Sequence, residues 1–285
     1  MSAVILDGLE LSKRIKSELA KEVDEIIKHG VIPGLAVIIV EGDAASRVYV
    51  NAKKNDCAEI GVKSFEYALS GDVSEEELLC LVEKLNNDKE VHGILCQLPL
   101  PKHINEQKII NAISPLKDAD CFHPFNVGLL VTGKPTFQPC TPAGIMELIR
   151  LTGIEVSGKE CVVVGRSNIV GKPMAMMLLA QNGTVTICHS KTKDLAEVCR
   201  RADILVAAVG KANMITANMV KPGAIVIDVG VTRLEDRKLC GDVKFDEVSE
   251  VASAITKVTG GVGPMTRAVL MKNTVYAASQ FCGQF

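Results

Sequence analysis

The sequence predicts an α/β fold in two lobes: an N-terminal α/β domain, then a doubly wound parallel-sheet domain, with a cleft between them. Three observations carry this. The stretch from Lys159 to Pro173, KECVVVGRSNIVGKP, runs from a polar start through three consecutive valines into a glycine turn, and buried parallel strands read as short apolar runs of this kind. A helical pattern from Met174 to Gln181 follows, stopped by Asn182-Gly183. Three further apolar runs come after it: Val185 to Cys188, Ile204 to Val209 before Gly210, and Ala224 to Val229 before Gly230. Strand-like runs alternating with helical segments form a βαβ series. The third observation is length, since 285 residues exceed one small core and suit two domains.

In chain order, Leu11, Ile15, Leu19, Val23, Ile26 and Ile27 recur at helical spacing and end at Gly30. Leu35 to Val40 reads as a strand, Ser46 to Ile60 as a helix and Phe65 to Leu69 as a short strand. Ser74 followed three residues later by Glu77 is a capping box opening a helix to about Leu85. Val91 to Gln97 makes another strand, which Pro99 and Pro101 must end because proline removes a ladder donor. Thr141 is placed as an N-cap with Pro142 at the first helical position. Gly260-Gly261-Val262-Gly263-Pro264 breaks the second lobe before a last helix, Thr266 to about Ser279. The expected domains are therefore 1–140 with 266–285, and 141–265.

A net charge of -2 leaves no basic footprint for nucleic acid. The start, MSAVILDGLELSKRIK, carries Asp7 and Glu10 where a signal peptide needs an uninterrupted apolar core, and no run reaches the length of a membrane span. A cytoplasmic chain with neither nucleic acid nor membrane as partner is expected. Ten cysteines are scattered through apolar runs, as at Cys96, Cys161 and Cys188, without a C-x-x-C pair. They read as small buried hydrophobes in a reducing compartment. His29, His92, His103, His123 and His189 lie far apart with no ligand spacing, so no metal site is expected.

The turn Gly165-Arg166-Ser167-Asn168-Ile169-Val170-Gly171, between a strand and a helix, is a phosphate cradle. Its glycines let backbone approach a pyrophosphate, and free N–H groups at the helix start face the charge. It departs from G-x-G-x-x-G, with Ser167 at the second glycine and Gly171 one residue late. An NAD site carries Asp or Glu about 20 residues further on, whereas here the next strand ends His189-Ser190-Lys191. Arg166, Ser190 and Lys191 would suit a 2′-phosphate, hence NADP, although Lys191 also reads as part of a solvated basic loop. An α/β domain with tight turns and no nucleotide is the alternative.

In the first lobe, Ser46, Tyr49 and Lys53 stand at i, i+3 and i+7, along one helix face. A ring beside an amine suggests an aromatic substrate stacked on Tyr49 with Lys53 aimed at its reactive atom. The same spacing fits an amphipathic helix with a solvated lysine. Asp120 could cap a turn, and Gln97 could satisfy the end of its strand. These residues leave open an NADP-dependent dehydrogenase of another small carbonyl or amine compound, or a non-catalytic dinucleotide sensor.

Taken together, seven motifs in order resemble the bifunctional methylenetetrahydrofolate dehydrogenase/methenyltetrahydrofolate cyclohydrolase family along nearly the whole chain. They are SRVYVNAKK (46–54), GILCQLPLP (93–101), KDADCFHPFNVG (117–128), PCTPAGI (139–145), VVVGRSNIVGKP (162–173), AIVIDVG (224–230) and GGVGPMT (260–266). The resemblance implies an N-terminal catalytic domain and a Rossmann-type NADP-binding domain. It implies NADP-dependent oxidation of 5,10-methylenetetrahydrofolate to the 5,10-methenyl compound, then hydrolysis to 10-formyltetrahydrofolate, by a homodimer joined through the nucleotide domains. By the same resemblance Lys53, Gln97 and Tyr49 are catalytic, and Tyr49, Lys53, Gln97, Asp120, Gly263 and Pro264 hold the folate. Gly165, Arg166, Ser167, Gly171, Ser190, Gly210 and Val231 are the implied cofactor contacts, with no metal.

Those roles fit the chemistry. The oxidation moves a hydride and releases no proton, while the hydrolysis adds water to a cation, so Lys53 has to be neutral for part of the cycle to accept a proton. A carboxylate such as Asp120 can accept both N–H groups of a pterin edge. The sequence also departs from the family. Cys121 replaces the glycine of a D-x-D-G loop, so the backbone there is expected to avoid conformations only glycine tolerates. Lys257 and Thr259 replace two prolines of T-P-V-P-G-G, which is expected to loosen that loop or alter affinity for the folate.

Overall fold

The computed structural model describes residues 2–41, 44–234 and 238–281, and for residues 44–46 the backbone alone. The chain divides into two compact units, the residues up to Ser12 with Pro139–Thr266, and Lys13–Gln138 with the chain from Arg267 onward. The expected boundaries assigned residues 1–140 to the first lobe. The opening residues instead join the second, because Val4–Leu6 is a strand paired in parallel with Ala254–Thr256. Asp7, read above only as a charge that interrupts an apolar start, begins the first helix: its Oδ1 accepts from Glu10 N at 2.9 Å, and the helix runs Gly8–Lys28 to a left-handed Gly30 at φ 83°.

The nucleotide-type unit is built on six parallel strands. Their order is Val4–Leu6, Ala254–Thr256, Ile225–Asp228, Ile204–Ala207, Glu160–Val164, Thr184–Cys188. The inner strands are apolar on both faces because both are covered, and Val162, Val164, Leu205, Ala207, Val226 and Ile255 share one core. Each such side chain contributes about 1.5–3 kcal/mol by burial. The four sequence-read strands of this lobe are all present, with ends shifted by one or two residues. The helix after the cradle is Gly171–Ala180, and Asn182, at φ 62°, makes the left-handed stop.

The second unit holds a three-stranded parallel sheet in the order Lys63–Leu69, Gly34–Val40, Gly93–Cys96. The central strand is buried at all seven positions. Helix Glu75–Asn87 lays Leu78, Val82 and Leu85 against Ala36, Ile38 and Ile94. Its start is the expected capping box, with Glu77 N on Ser74 Oγ at 3.2 Å and Ser74 N on Glu77 Oε2 at 3.0 Å.

Two helix starts differ from expectation. The helix placed after Thr141 begins earlier, at Cys140–Leu151, so Pro142 is its third residue and Thr141 meets Thr266 hydroxyl to hydroxyl at 3.0 Å instead of capping. The last helix is Val262–Ser279, with Gly263 and Pro264 inside its first turn rather than before it. Proline is tolerated there because the first-turn N–H groups have no partner within the helix. Among the described residues no helix is long and apolar enough to cross a membrane.

Candidate active site

Lys53 lies on the helix Ala44–Ile60 and is only 9 % exposed, which sets aside the solvated-lysine reading. Its Nζ donates to Gln97 Oε1 at 2.8 Å. Gln97 follows the strand Gly93–Cys96 and donates Nε2 to Leu98 O at 2.8 Å, so its amide is turned with the oxygen toward the lysine. The Leu98-Pro99 peptide is cis. Tyr49, one helical turn before Lys53, is 43 % exposed. Ser46's side chain lies outside the described residues.

The same helix is anchored by a residue that sequence pattern did not single out. Asp56 is buried, and its two oxygens take Lys16 Nζ at 2.7 Å and Arg267 Nε at 2.6 Å. A buried carboxylate stays charged only with such partners, so the pair of cations fixes the helix one turn beyond Lys53. Lys16 also meets Glu59, and these hydrogen bonds raise its pKa although burial opposes the charge.

The aspartate loop divides its labour between two carboxylates. Asp118 is buried and accepts from Phe122 N at 3.1 Å, His123 N at 2.9 Å and Asn126 Nδ2 at 2.8 Å. Burial pushes its carboxyl up, and those three hydrogen bonds oppose the rise. Asp118 also pairs beside Ile94, with Ile94 N on Lys117 O at 2.7 Å, which brings the loop alongside the strand that Gln97 follows. Asp118 therefore builds the loop, while Asp120 is half-buried.

Cys121 corrects the expectation drawn from its replacing glycine. Its φ is 61°, the left-handed region, which an L residue reaches at a cost of about 1–2 kcal/mol. The turn holds it there by Cys121 N on Asp118 O at 3.1 Å, and the side chain is buried with Phe137 and Ala277, its Sγ donating to Phe137 O at 3.5 Å.

In the other unit, strand Glu160–Val164 lies between Thr184–Cys188 and Ile204–Ala207, where the strand order reverses, and ligands of open parallel sheets bind at such points. A cavity of about 590 Å³ is found there, its wall including Gly165, Arg166, Ser167, His189, Ser190 and Lys211, with no carboxylate among the described residues that line it. Gly165 has φ 135°, and a Cβ on it would lie 2.2 Å from Ala208 O. Gly171 is required too: its Cβ would lie 2.3 Å from Gly165 O. The late glycine thus lets the helix start close on the cradle. Ser167 Oγ accepts from Val170 N at 3.1 Å and Gly171 N at 3.2 Å, holding the turn into the helix where a second glycine was missing.

Arg166 and Ser190 are brought together in this wall, and the residues fit an NADP 2′-phosphate by charge and by the missing acid. Lys191 is exposed, its N–H on His189 Nδ1 at 3.2 Å, and Gly171, Gly210 and Val231 are not among the wall residues. Gly263 and Pro264 belong to the compact unit of Arg166, not that of Lys53, Tyr49, Gln97 and Asp120. Among the described residues no group of His, Cys, Asp and Glu could hold a metal ion.

Comparison with known proteins accounts for both regions. Residues 6–120 match the catalytic domain, and residues 139–282 the NAD(P)-binding domain, of tetrahydrofolate dehydrogenase/cyclohydrolase. The bifunctional protein FolD of Ruminiclostridium cellulolyticum is 68% identical over 277 residues, 97% of this chain and 98% of that protein. The crystal structure of the bifunctional FolD dehydrogenase/cyclohydrolase from Campylobacter jejuni superposes with a TM-score of 0.96 at 48% identity, covering 98% of this chain and 99% of that one. The Trypanosoma brucei enzyme, solved with NADP cofactor and an inhibitor, gives 0.94 at 39% identity, covering 98% of each chain.

Proposed function

The chain belongs to the tetrahydrofolate dehydrogenase/cyclohydrolase family, and from that premise we propose which residues carry each of its two steps. It is a bifunctional, NADP-dependent enzyme that oxidises 5,10-methylenetetrahydrofolate to 5,10-methenyltetrahydrofolate and hydrolyses that product to 10-formyltetrahydrofolate. NADP, when bound, supplies the hydride acceptor. Arg166 and Ser190 hold its 2′-phosphate, Gly165 and Gly171 admit its pyrophosphate, and Ser167, Gly210 and Val231 complete the contacts.

The observation that carries the assignment of the hydrolysis is the chain of hydrogen bonds from Lys53 Nζ to Gln97 Oε1 and from Gln97 Nε2 to Leu98 O. Because Gln97 is fixed as an acceptor, a neutral Lys53 donates one N–H to it and keeps its lone pair for a proton. Water adds to the methenyl carbon and its proton passes to Lys53. The bond from that carbon to one ring nitrogen then breaks, Lys53 returns its proton to that nitrogen, the hydroxyl proton leaves to solvent as the carbonyl forms, and the formyl group remains on the other nitrogen. Tyr49 stacks on the folate, and Asp120 accepts the N–H groups of the pterin edge.

Supplying methylenetetrahydrofolate and NADP should raise the reduced-nicotinamide absorbance as substrate is consumed, followed by 10-formyltetrahydrofolate. No reduction of NADP would overturn this reading. The protein works as a homodimer in the cytoplasm, a placement supported by nine free cysteines among the described residues, seven of them buried. Light scattering giving a monomer mass would remove the dimer.

A further inference from the structure

A buried carboxylate stands behind one wall of the dinucleotide cavity. Asp242 is fully buried, and its oxygens accept from three consecutive amides: Val209 N at 2.6 Å and Gly210 N at 3.1 Å on Oδ2, and Lys211 N at 2.7 Å on Oδ1. These amides open the loop that leaves the strand Ile204–Ala207, and Val209 and Lys211 lie in the cavity wall with Arg166 and Ser190. Asp242 is itself held in place, its N–H donating to Asp228 Oδ1 at 2.9 Å. Asp228, on the next strand, also takes Gly230 N at 3.1 Å and Val243 N at 3.1 Å. Two glycines make room for the pair: a Cβ on Gly230 would lie 2.2 Å from Asp242 Cγ, and one on Gly241 1.8 Å from Asp228 Oδ2.

We infer that Asp242 is a positioning residue for the nicotinamide cofactor, setting the loop from Val209 to Lys211 in its receiving shape before the cofactor arrives. The inference rests on the dinucleotide reading of this cavity. Hydrogen bonds from N–H groups to a carboxylate are stronger than neutral ones, and three on successive residues leave the loop little freedom. A loop already ordered spares binding the entropy of ordering it. Both oxygens of the carboxylate accept in this arrangement. An asparagine there offers one oxygen and turns an NH2 group toward the remaining N–H.

The bifunctional enzyme supplies its own control, because methenyl hydrolysis does not use the nicotinamide. Asp242→Asn should raise the KM for NADP at least about tenfold, which is about 1.4 kcal/mol. Dehydrogenase kcat at saturating NADP should stay within about twofold, the pattern of lost uniform binding, and the methenyl hydrolysis rate should not change. A general loosening of the protein would lower both activities together, and that result, or an unchanged KM in a folded variant, overturns the inference. A wild-type enzyme that reduces no NADP would remove the cavity's assignment itself. If Asp242→Asn does not fold, hydrogen exchange on the wild type decides: the amides of residues 209, 210 and 211 should be protected without cofactor, and rapid exchange there overturns the role.

Discussion

Replacing Gly171 by alanine places a Cβ 2.3 Å from Gly165 O, 2.5 Å from Gly165 C and 2.8 Å from Arg166 N. All three are backbone atoms, so no flexible side-chain tip can swing aside. Reaching ordinary contact, which begins at 3.4 Å, takes a shift of about 1 Å between the helix start and the Gly165-Arg166 peptide. Overpacking of this kind costs about 1–3 kcal/mol, and because Gly171 is the first residue of its helix, alanine's helix-interior advantage over glycine does not offset it. The variant should therefore lose about 1–3 kcal/mol of stability and remain folded. The cradle suffers more, because the same shift displaces Arg166 from the 2′-phosphate. Losing that charge-assisted contact costs about 1.5–3 kcal/mol, or about 10- to 150-fold in NADP affinity. Isothermal titration with NADP, beside a thermal melt and a methenyl hydrolysis assay on the same preparation, reads all three quantities. A folded Gly171→Ala protein that binds NADP as the wild type does would refute the reasoning.

Two other perturbations follow from the same geometry. Arg166→Ala should weaken NADP by about 1.5–3 kcal/mol and NAD far less, since only NADP offers the phosphate; equal losses in titrations with the two cofactors would show that Arg166 reads something else. Burial pushes the Asp228 carboxyl up to about 6 from 3.8, with the charge of Asp242 adding to the rise and three backbone N–H groups opposing it. The folded protein thus holds that proton more tightly than the unfolded chain, so this contribution to stability is full below the unfolded value and is lost as pH rises through about 6. Going from about pH 7.5 to about pH 5, the wild type should gain about 1.4 kcal/mol relative to Asp228→Asn in urea unfolding, and a gap independent of pH would refute the linkage.

Much of the fold was legible because its strands are buried on both faces, so Val162 to Val164, Leu35 to Val40 and Ile225 to Ile227 stand out as apolar runs whatever surrounds them. The edge strand Val4–Leu6 was missed for the opposite reason: it is three residues long, two of them exposed, and a pairing with Ala254–Thr256 across most of the chain leaves no local trace. The short helices Glu106–Ala112 and Pro124–Val131 carry too few turns for a period to show. The capping box at Ser74 was readable because it is local chemistry, four residues long. In the site, Lys53 and Gln97 are 44 residues apart in sequence, and only the family motifs joined them before the hydrogen bond did. Asp56, Asp118, Asp228 and Asp242 gave no sign, since a buried carboxylate looks in sequence like any exposed one until its donors are known. Cys121 shows the limit of arguing from a missing glycine: the left-handed region near φ 61° is costly for cysteine but open to it.

The division of the two steps between Lys53 and the cradle is tested most directly by Lys53→Met, which keeps the length of the side chain and removes the amine that Gln97 Oε1 receives at 2.8 Å. The measurement is methenyltetrahydrofolate hydrolysis, corrected for the uncatalysed rate, with NADP binding titrated on the same sample. The account predicts that catalysed hydrolysis disappears while NADP binds as tightly as in the wild type. Hydrolysis at the wild-type rate in a protein lacking the Lys53 amine would contradict it.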